Sequence, residues 1–137
     1  MKNGFTLSEI IPAKPADIYE VWLSSEGHTA MTGSHAKVDG NVGGKFSAWD
    51  GYIFGRTLEL TPKQRIVQTW RTSEFPDDAP DSHLEVLLEE VPEGTKITLI
   101  HGDMPEDQVD SYRQGWEDFY FKPMKKYFKE QKISSKP

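Results

Sequence analysis

Cysteine is absent from the 137 residues, so disulfides, thiolate metal sites and cysteine nucleophiles are excluded. No apolar run approaches the roughly 18 residues of a membrane span. Met1-Lys2-Asn3-Gly4 leads into an alternating segment without a signal-peptide core, and a soluble cytoplasmic protein is expected. There are no internal repeats and no low-complexity segment; only Ser134 to Pro137 reads as a tail. Positive charge is in deficit, with 16 Lys and Arg against 22 Asp and Glu for a net charge of −6. Nucleic acid and anionic membrane are therefore disfavoured as partners, and the basic cluster from Lys122 to Lys132 reads as a solvated helix end. The recurrent catalytic signatures are missing too: no G-x-S-x-G, no P-loop, no G-x-G-x-x-G, no H-E-x-x-H and no paired acidic constellation. Gly43-Gly44 is a turn, because no helix follows it to present amides to a phosphate. No catalytic residue and no cofactor are expected. The four histidines, His28, His35, His83 and His101, stand apart without ligand spacing, and no metal site is expected either.

What the chain does have is one long helical pattern, Met104 to Glu130, around which the rest is organised. At about 100° per residue, Val109, Tyr112, Trp116, Phe119, Tyr120, Pro123 and Tyr127 fall on one stripe. After Gly115 a second stripe of Phe121, Met124 and Phe128 lies beside it, where the preceding turns carry Asp110, Arg113 and Glu117. A helix apolar over that much of its circumference is expected to be gripped on more than one side. Asp103 and Glu106 form a D-x-x-E capping box with Pro105 in the first turn, and acidic residues at the start and lysines at the end suit the helix dipole. Those charges need no partner. Pro123 cannot donate to Phe119 and is expected to kink the helix. Gly115 is expected to let the helix approach a sheet closely.

Upstream, Phe5, Leu7, Glu9 and Ile11 alternate with Thr6, Ser8 and Ile10 as a strand ending at Pro12. Pro15 then opens a short helix in which Ile18, Val21 and Trp22 share a face, and Ser24 to Met31 reads as a second short helix despite Gly27. From Ala36 onward, turn signals at Asp39-Gly40, Gly43-Gly44, Asp50-Gly51, Pro62-Lys63-Gln64 and Pro92-Glu93-Gly94 separate short β-type runs. The expected strands are Ala36–Val38, Lys45–Trp49, Tyr52–Thr61, Ile66–Thr72, His83–Val91 and Thr95–Gly102, an antiparallel meander with one buried face. The acidic, proline-broken stretch from Glu74 to Asp81 is expected to be a solvated loop. The reading is one α+β domain over residues 1–137: a curved antiparallel sheet, two short helices after its first strand and a long C-terminal helix.

A sheet closed by one long helix leaves a cleft between them, and small-molecule pockets are mostly apolar. The expected ligand-lining residues are Trp70, His101, Tyr112, Trp116, Phe119 and Tyr120, with the N-terminal half of the helix as roof. His101 continues the Ile97, Leu99 alternation and points inward, either as a core histidine satisfied by a hydrogen bond or, beside Tyr112, as a general base lacking an identifiable third group.

The run Gly43-Gly44-Lys45-Phe46, the Asp50-Gly51 turn, Gly55 ahead of Leu58, the Pro62 turn, Ile66 to Arg71 and Gly115-Trp116-Glu117-Asp118-Phe119-Tyr120-Phe121 form a joint pattern. That pattern resembles the C-terminal domain of the activator of Hsp90 ATPase, within the START-like or Bet v 1-like helix-grip superfamily. The resemblance runs in order from about Phe5 to Phe128. It implies the helix-grip fold, and across the superfamily hydrophobic-ligand binding, lipid transport, polyketide cyclisation or co-chaperone action. The leading expectation is a non-catalytic module that binds a small apolar or aromatic ligand. The alternatives are a stress-linked co-chaperone stimulating an Hsp90-type chaperone ATPase, and a small-molecule cyclase or hydrolase on the same scaffold.

Overall fold

The computed structural model describes residues 3–134, with side chains as far as Gln131; residues 135–137 of the expected tail lie outside the described residues. Strand β1 (Phe5–Ile11) is followed by helices α1 (Pro15–Trp22) and α2 (Ser25–Thr32). Strands β2 (Lys37–Val38), β3 (Lys45–Ala48), β4 (Ile53–Thr61), β5 (Arg65–Thr72), β6 (Ser82–Val91) and β7 (Gly94–Gly102) then run as a meander. The seven strands form one antiparallel sheet in the order β1-β7-β6-β5-β4-β3-β2, so the first strand closes against the last. The α+β helix-grip arrangement expected from the sequence is what the chain adopts.

Local chemistry accounts for the short helices. Pro15 occupies the first turn of α1, where a missing N–H costs nothing, and Ile18 and Trp22 are its buried side chains. The Ser24 side chain caps α2 by accepting from Gly27 N at 3.0 Å, and Gly33 ends it at φ 82°. Gly27, which looked like a weakness, is where α2 meets α1: a Cβ there would lie 2.8 Å from the Val21 Cα.

Inward-facing residues of the sheet and one face of the C-terminal helical segment make the core, with Ile66, Leu84, Val86, Ile97 and Leu99 fully or almost fully buried. On the other face Arg65 bonds Glu85 and, at 3.4 Å, Glu59, above a fully buried Val67. In β4 the register shifts between Thr57 and Glu59, a bulge that turns Thr57 inward and leaves Leu58 exposed.

The C-terminal segment departs from its expected form. It opens with a 3-10 turn (Glu106–Gln108), continues as α3 (Val109–Trp116), widens into a π-helical turn (Glu117–Phe121) and ends as α4 (Lys122–Ser134). The residue that precedes the first helical turn is Pro105 and not Asp103. Asp103 sits at φ 63°, reversing the chain after β7, a backbone state that Asp tolerates better than most residues. Neither the 3-10 turn nor α3 is capped by a side chain of its preceding residue.

The irregularity expected at Pro123 is the π-turn just before it, in which Lys122 N reaches back to Glu117 O. This turn corrects the reading of a wide apolar face. Buried residues follow the line Tyr112, Trp116, Tyr120 before it and Phe121, Met124, Phe128 after it. The second line is the expected continuation Tyr120, Pro123, Tyr127 displaced by one residue. A π-turn absorbs that extra residue and keeps both lines on the same side, so the helix has a single buried face with an insertion in it. The lysines of α4 are also less idle than expected, since Lys125 pairs with Glu9 of β1 at 2.9 Å and Lys122 with Asp118 at 3.0 Å.

Candidate functional site

A cleft of about 380 Å³ opens between α3, the π-turn and the β3–β4 hairpin, and ten residues line it. The helical side supplies Ser111, Tyr112, Gly115, Trp116, Phe119 and Tyr120. The sheet side supplies Trp49, Tyr52 and Ile53 around the hairpin turn and Trp70 from β5. Five of the six expected residues thus line one cavity: Trp70, Tyr112, Trp116, Phe119 and Tyr120. His101 does not line it. It lies behind Trp70 and Trp116, with ring centroids 4.5 and 5.9 Å away, and has no exposed surface.

Phe119 belongs to the stripe assigned to the core, yet it is 54 % exposed and meets Trp49 edge-on at 5.2 Å, at the mouth of the cleft. The π-turn is the reason, because local widening of the helix carries this margin of the stripe out of the sheet's reach. A second, larger groove of about 600 Å³ lies between α1, the β6–β7 turn and α4, but Lys14, Asp17, Glu20 and Glu93 are among the residues that line it. Apolar specificity favours the smaller cleft.

In the sequence Trp49 and Tyr52 stand only as the strand ends on either side of the Asp50-Gly51 turn. That turn is unusual in holding three consecutive positive φ values, 53° at Trp49, 58° at Asp50 and 89° at Gly51. Glycine takes such a value without strain, whereas for a residue as bulky as tryptophan it is an outlier. Outliers of this kind are retained where surrounding structure holds them. Here Asp50 N donates to the His35 carbonyl at 2.9 Å and Tyr52 N to the Trp49 carbonyl at 3.2 Å, the Trp49 ring meets Phe119, and Trp49 Nε1 is the one buried side-chain donor without a partner among the described residues.

Behind the lining, two histidines are fixed as neutral in opposite tautomers. Trp116 Nε1–H donates to His101 Nδ1 at 3.0 Å, which leaves the His101 proton on Nε2, 2.9 Å from Ser82 Oγ. Ser82 in turn donates to the Trp70 carbonyl. His28 is the mirror case: Nδ1–H donates to the Trp22 carbonyl at 2.9 Å, and Nε2 accepts from the Tyr120 hydroxyl at 2.8 Å. Burial lowers the pKa of both, that of His101 to about 3 with a further contribution from His83. Burial also holds the Tyr120 phenol far above its usual range.

The hydrogen-bonded core reading of His101 is the one the geometry supports, since both ring nitrogens are committed within the protein and neither faces the cleft. At the other rim, Tyr112 donates to Gln108 Oε1 and receives from Thr72 Oγ1 at 2.7 Å, while the Tyr52 hydroxyl donates to Glu74. The loop from Glu74 to Asp81 is better ordered than a solvated loop. Phe75 is buried, and Arg71 holds the loop through the Pro76 and Ala79 carbonyls and Asp81. Among the described residues no cluster of three or more His, Asp or Glu side chains is placed to hold a metal ion, and no helix is long and apolar enough to cross a membrane.

Comparison with known proteins gives this architecture relatives. Residues 12–129 match the family described as Activator of Hsp90 ATPase homolog 1-like protein. The human Activator of 90 kDa heat shock protein ATPase homolog 1 is 28% identical over 123 residues, covering 90% of this chain and 36% of the human protein. The Dictyostelium discoideum homologue is 27% identical over 111 residues, 81% of this chain and 29% of its own length. The chain therefore spans about a third of the curated relatives it matches. An HSP90 activator from Plasmodium falciparum has the same fold with a TM-score of 0.76 and 27% identity, over 86% of this chain and 90% of that one. With the family model covering most of its length, the chain belongs to the Activator of Hsp90 ATPase homolog 1-like family.

Proposed function

We propose that this domain works by binding, and that its cleft accepts a small apolar or aromatic group. The observation that carries this reading is the cleft itself: about 380 Å³, within the range of small-molecule sites, with aromatic side chains at seven of its ten lining positions. Gly115 offers a clean test. A Cβ there would meet only Phe119 Cδ2, at an ordinary 3.8 Å, so the close approach expected of this glycine is not what requires it. A larger side chain would grow into the cleft instead.

Gly115→Leu is expected to fold with unchanged or raised stability, because Gly costs about 1 kcal/mol relative to good helix formers. In thermal-shift screening with fatty acids and aromatic metabolites, a compound at 100 times its Kd stabilises the wild type by about 2.7 kcal/mol. The same compound should leave Gly115→Leu unshifted. A full shift in the variant, or no compound shifting the wild type, would overturn the reading.

A second reading is favoured by the relatives rather than by the cleft: contact with an Hsp90-type chaperone and stimulation of its ATPase. The human and Plasmodium falciparum relatives are named for that activity, and the solved Plasmodium chain is matched over 90% of its length by this fold. Its test is ATP turnover by the host's Hsp90 homologue across a saturating titration of this protein. A rise in turnover is expected on this reading, and a flat titration would refute it. The two readings are separable, since Gly115→Leu fills the cleft while leaving the outer surface of the sheet intact.

A further inference from the structure

We propose that the occupant of the cleft is an organic cation, an apolar or aromatic body carrying a tertiary or quaternary ammonium group; this rests on the cleft-binding reading above. The first observation is what the lining withholds. The polar ends of four of its aromatic residues are already engaged elsewhere: Trp116 Nε1 with His101, the Tyr120 hydroxyl with His28, the Tyr112 hydroxyl with Gln108 and Thr72, and the Tyr52 hydroxyl with Glu74, while the unpartnered Trp49 Nε1 is buried. What remains for a guest is chiefly ring faces and edges, with the Ser111 hydroxyl and the Trp49 and Trp70 indoles as the other polar-bearing side chains of the lining. Such a surface cannot repay the desolvation of a guest rich in hydrogen-bonding groups. It suits hydrocarbon, and the electron-rich ring faces attract a cation that needs no directed hydrogen bond.

The second observation is the sign of the charge around it. No Lys, Arg or His lines the cleft. Glu74 is hydrogen-bonded to the Tyr52 hydroxyl at the rim, and Gln108 Nε2 donates to the Glu74 carbonyl at 2.9 Å, which ties the acidic loop to the acidic start of the helical segment. Burial chiefly, and then the negative charges of Glu74 and Asp107, hold the Tyr112 phenol above its ordinary range, so both carboxylates are felt at the lining. Arg71, the basic residue beside Trp70 in β5, is committed to the loop carbonyls, to Asp81 and to the face of Phe75 at 5.3 Å. An anionic guest meets repulsion here; a cation meets π faces backed by carboxylates.

The experiment titrates the protein with three compounds of one shape: benzyltrimethylammonium, its neutral isostere neopentylbenzene, and benzylsulfonate. Fluorescence is the readout, since three of the four tryptophans, Trp49, Trp70 and Trp116, line the cleft. The ammonium compound is expected to bind at least about tenfold more tightly than the isostere, a difference of about 1.4 kcal/mol, and the sulfonate more weakly than either. Glu74→Gln should narrow the gap between cation and isostere severalfold without changing affinity for the isostere. Gly115→Leu should abolish both. If neopentylbenzene binds as tightly as the ammonium compound, or if Glu74→Gln leaves the gap unchanged, the cation inference is overturned while the apolar-cleft reading stands. If none of the three gives saturable binding, both fall.

Discussion

Trp116→Ala is expected to cost about 3–5 kcal/mol of stability, a large share of the 5–15 kcal/mol typical of a small domain. Trp116 lines the cleft yet is only 3 % exposed, because the cleft touches one side of a ring packed on the others. Its ring stacks on Trp22 at 6.2 Å and lies 4.6 Å from Tyr120 and 5.9 Å from Trp70. Its N–H is the donor that satisfies His101 Nδ1. Alanine would remove that packing and leave a fully buried acceptor unpaired, which alone costs about 1–3 kcal/mol, so the result should fall near the upper end of the range. Denaturant melts of Trp116→Ala, Trp116→Phe and Phe128→Ala separate the contributions. Phe keeps much of the ring and drops only the donor, whereas Phe128, 5 % exposed in α4, reports packing loss away from the cleft. A Trp116→Ala variant within about 1 kcal/mol of wild type, beside a Phe128→Ala variant that loses several, would make Trp116 a cavity wall and refute the core assignment.

Mild acid should destabilise the fold before most carboxylates titrate. A histidine whose folded pKa is lowered adds nothing above its unfolded pKa near 6.5, where both states are neutral. Below that value the unfolded chain takes up a proton that the folded chain refuses. Stability then falls with decreasing pH until the folded pKa is reached, which for His101 is about 3. Between pH 6.5 and 5 His101 alone should remove about 2 kcal/mol, and His28, lowered by burial in the same direction, adds to the loss. Carboxylates lowered by lysine partners, Glu9 and Asp118, act at still lower pH. Urea melts at half-unit steps from pH 7.5 to 5 would show the slope. His101→Gln, which carries no titrating ring, should start less stable and lose less on the way down. A flat wild-type profile would mean that a ring is already protonated in the fold and that the neutral tautomers assigned from Trp116 and Trp22 are wrong.

Much of the frame was legible because it is written in short-range patterns. Alternation in the His83–Val91 and Thr95–Gly102 runs marked β6 and β7 to within a residue of their observed starts. The Pro15 start marked α1, and the run from Ser24 to Met31 marked α2 to within a residue at each end. Aromatic spacing along the helix brought Tyr112, Trp116, Phe119 and Tyr120 together in advance. The errors arose where two local rules compete. Asp103 is both a good cap and a good left-handed residue, and the reversal after β7 claims it for the second role. Phe121, Met124 and Phe128 read as a second face because a strict 3.6-residue period has no provision for a π-turn. The sheet side of the cleft was hidden for a different reason. Trp49 faces Phe119 from 70 positions away, and its positive φ contradicts the preference of its residue type, so no local pattern announces it.

Closure of β1 on β7 also bears on how the chain is made. Ser8 Oγ and Thr98 Oγ1 lie 3.1 Å apart although 90 positions separate them, and Phe5 pairs with His101 across the same seam. During synthesis from the N-terminus, the first strand emerges long before its partner exists. It has no neighbour in the sheet until β7 has left the ribosome, and the helical segment that covers both comes later still. The β2–β7 meander, by contrast, pairs each strand with the one just made. Nascent chains halted before β7 should therefore present β1 as an unpaired edge, the kind of segment that chaperones shield and aggregates recruit.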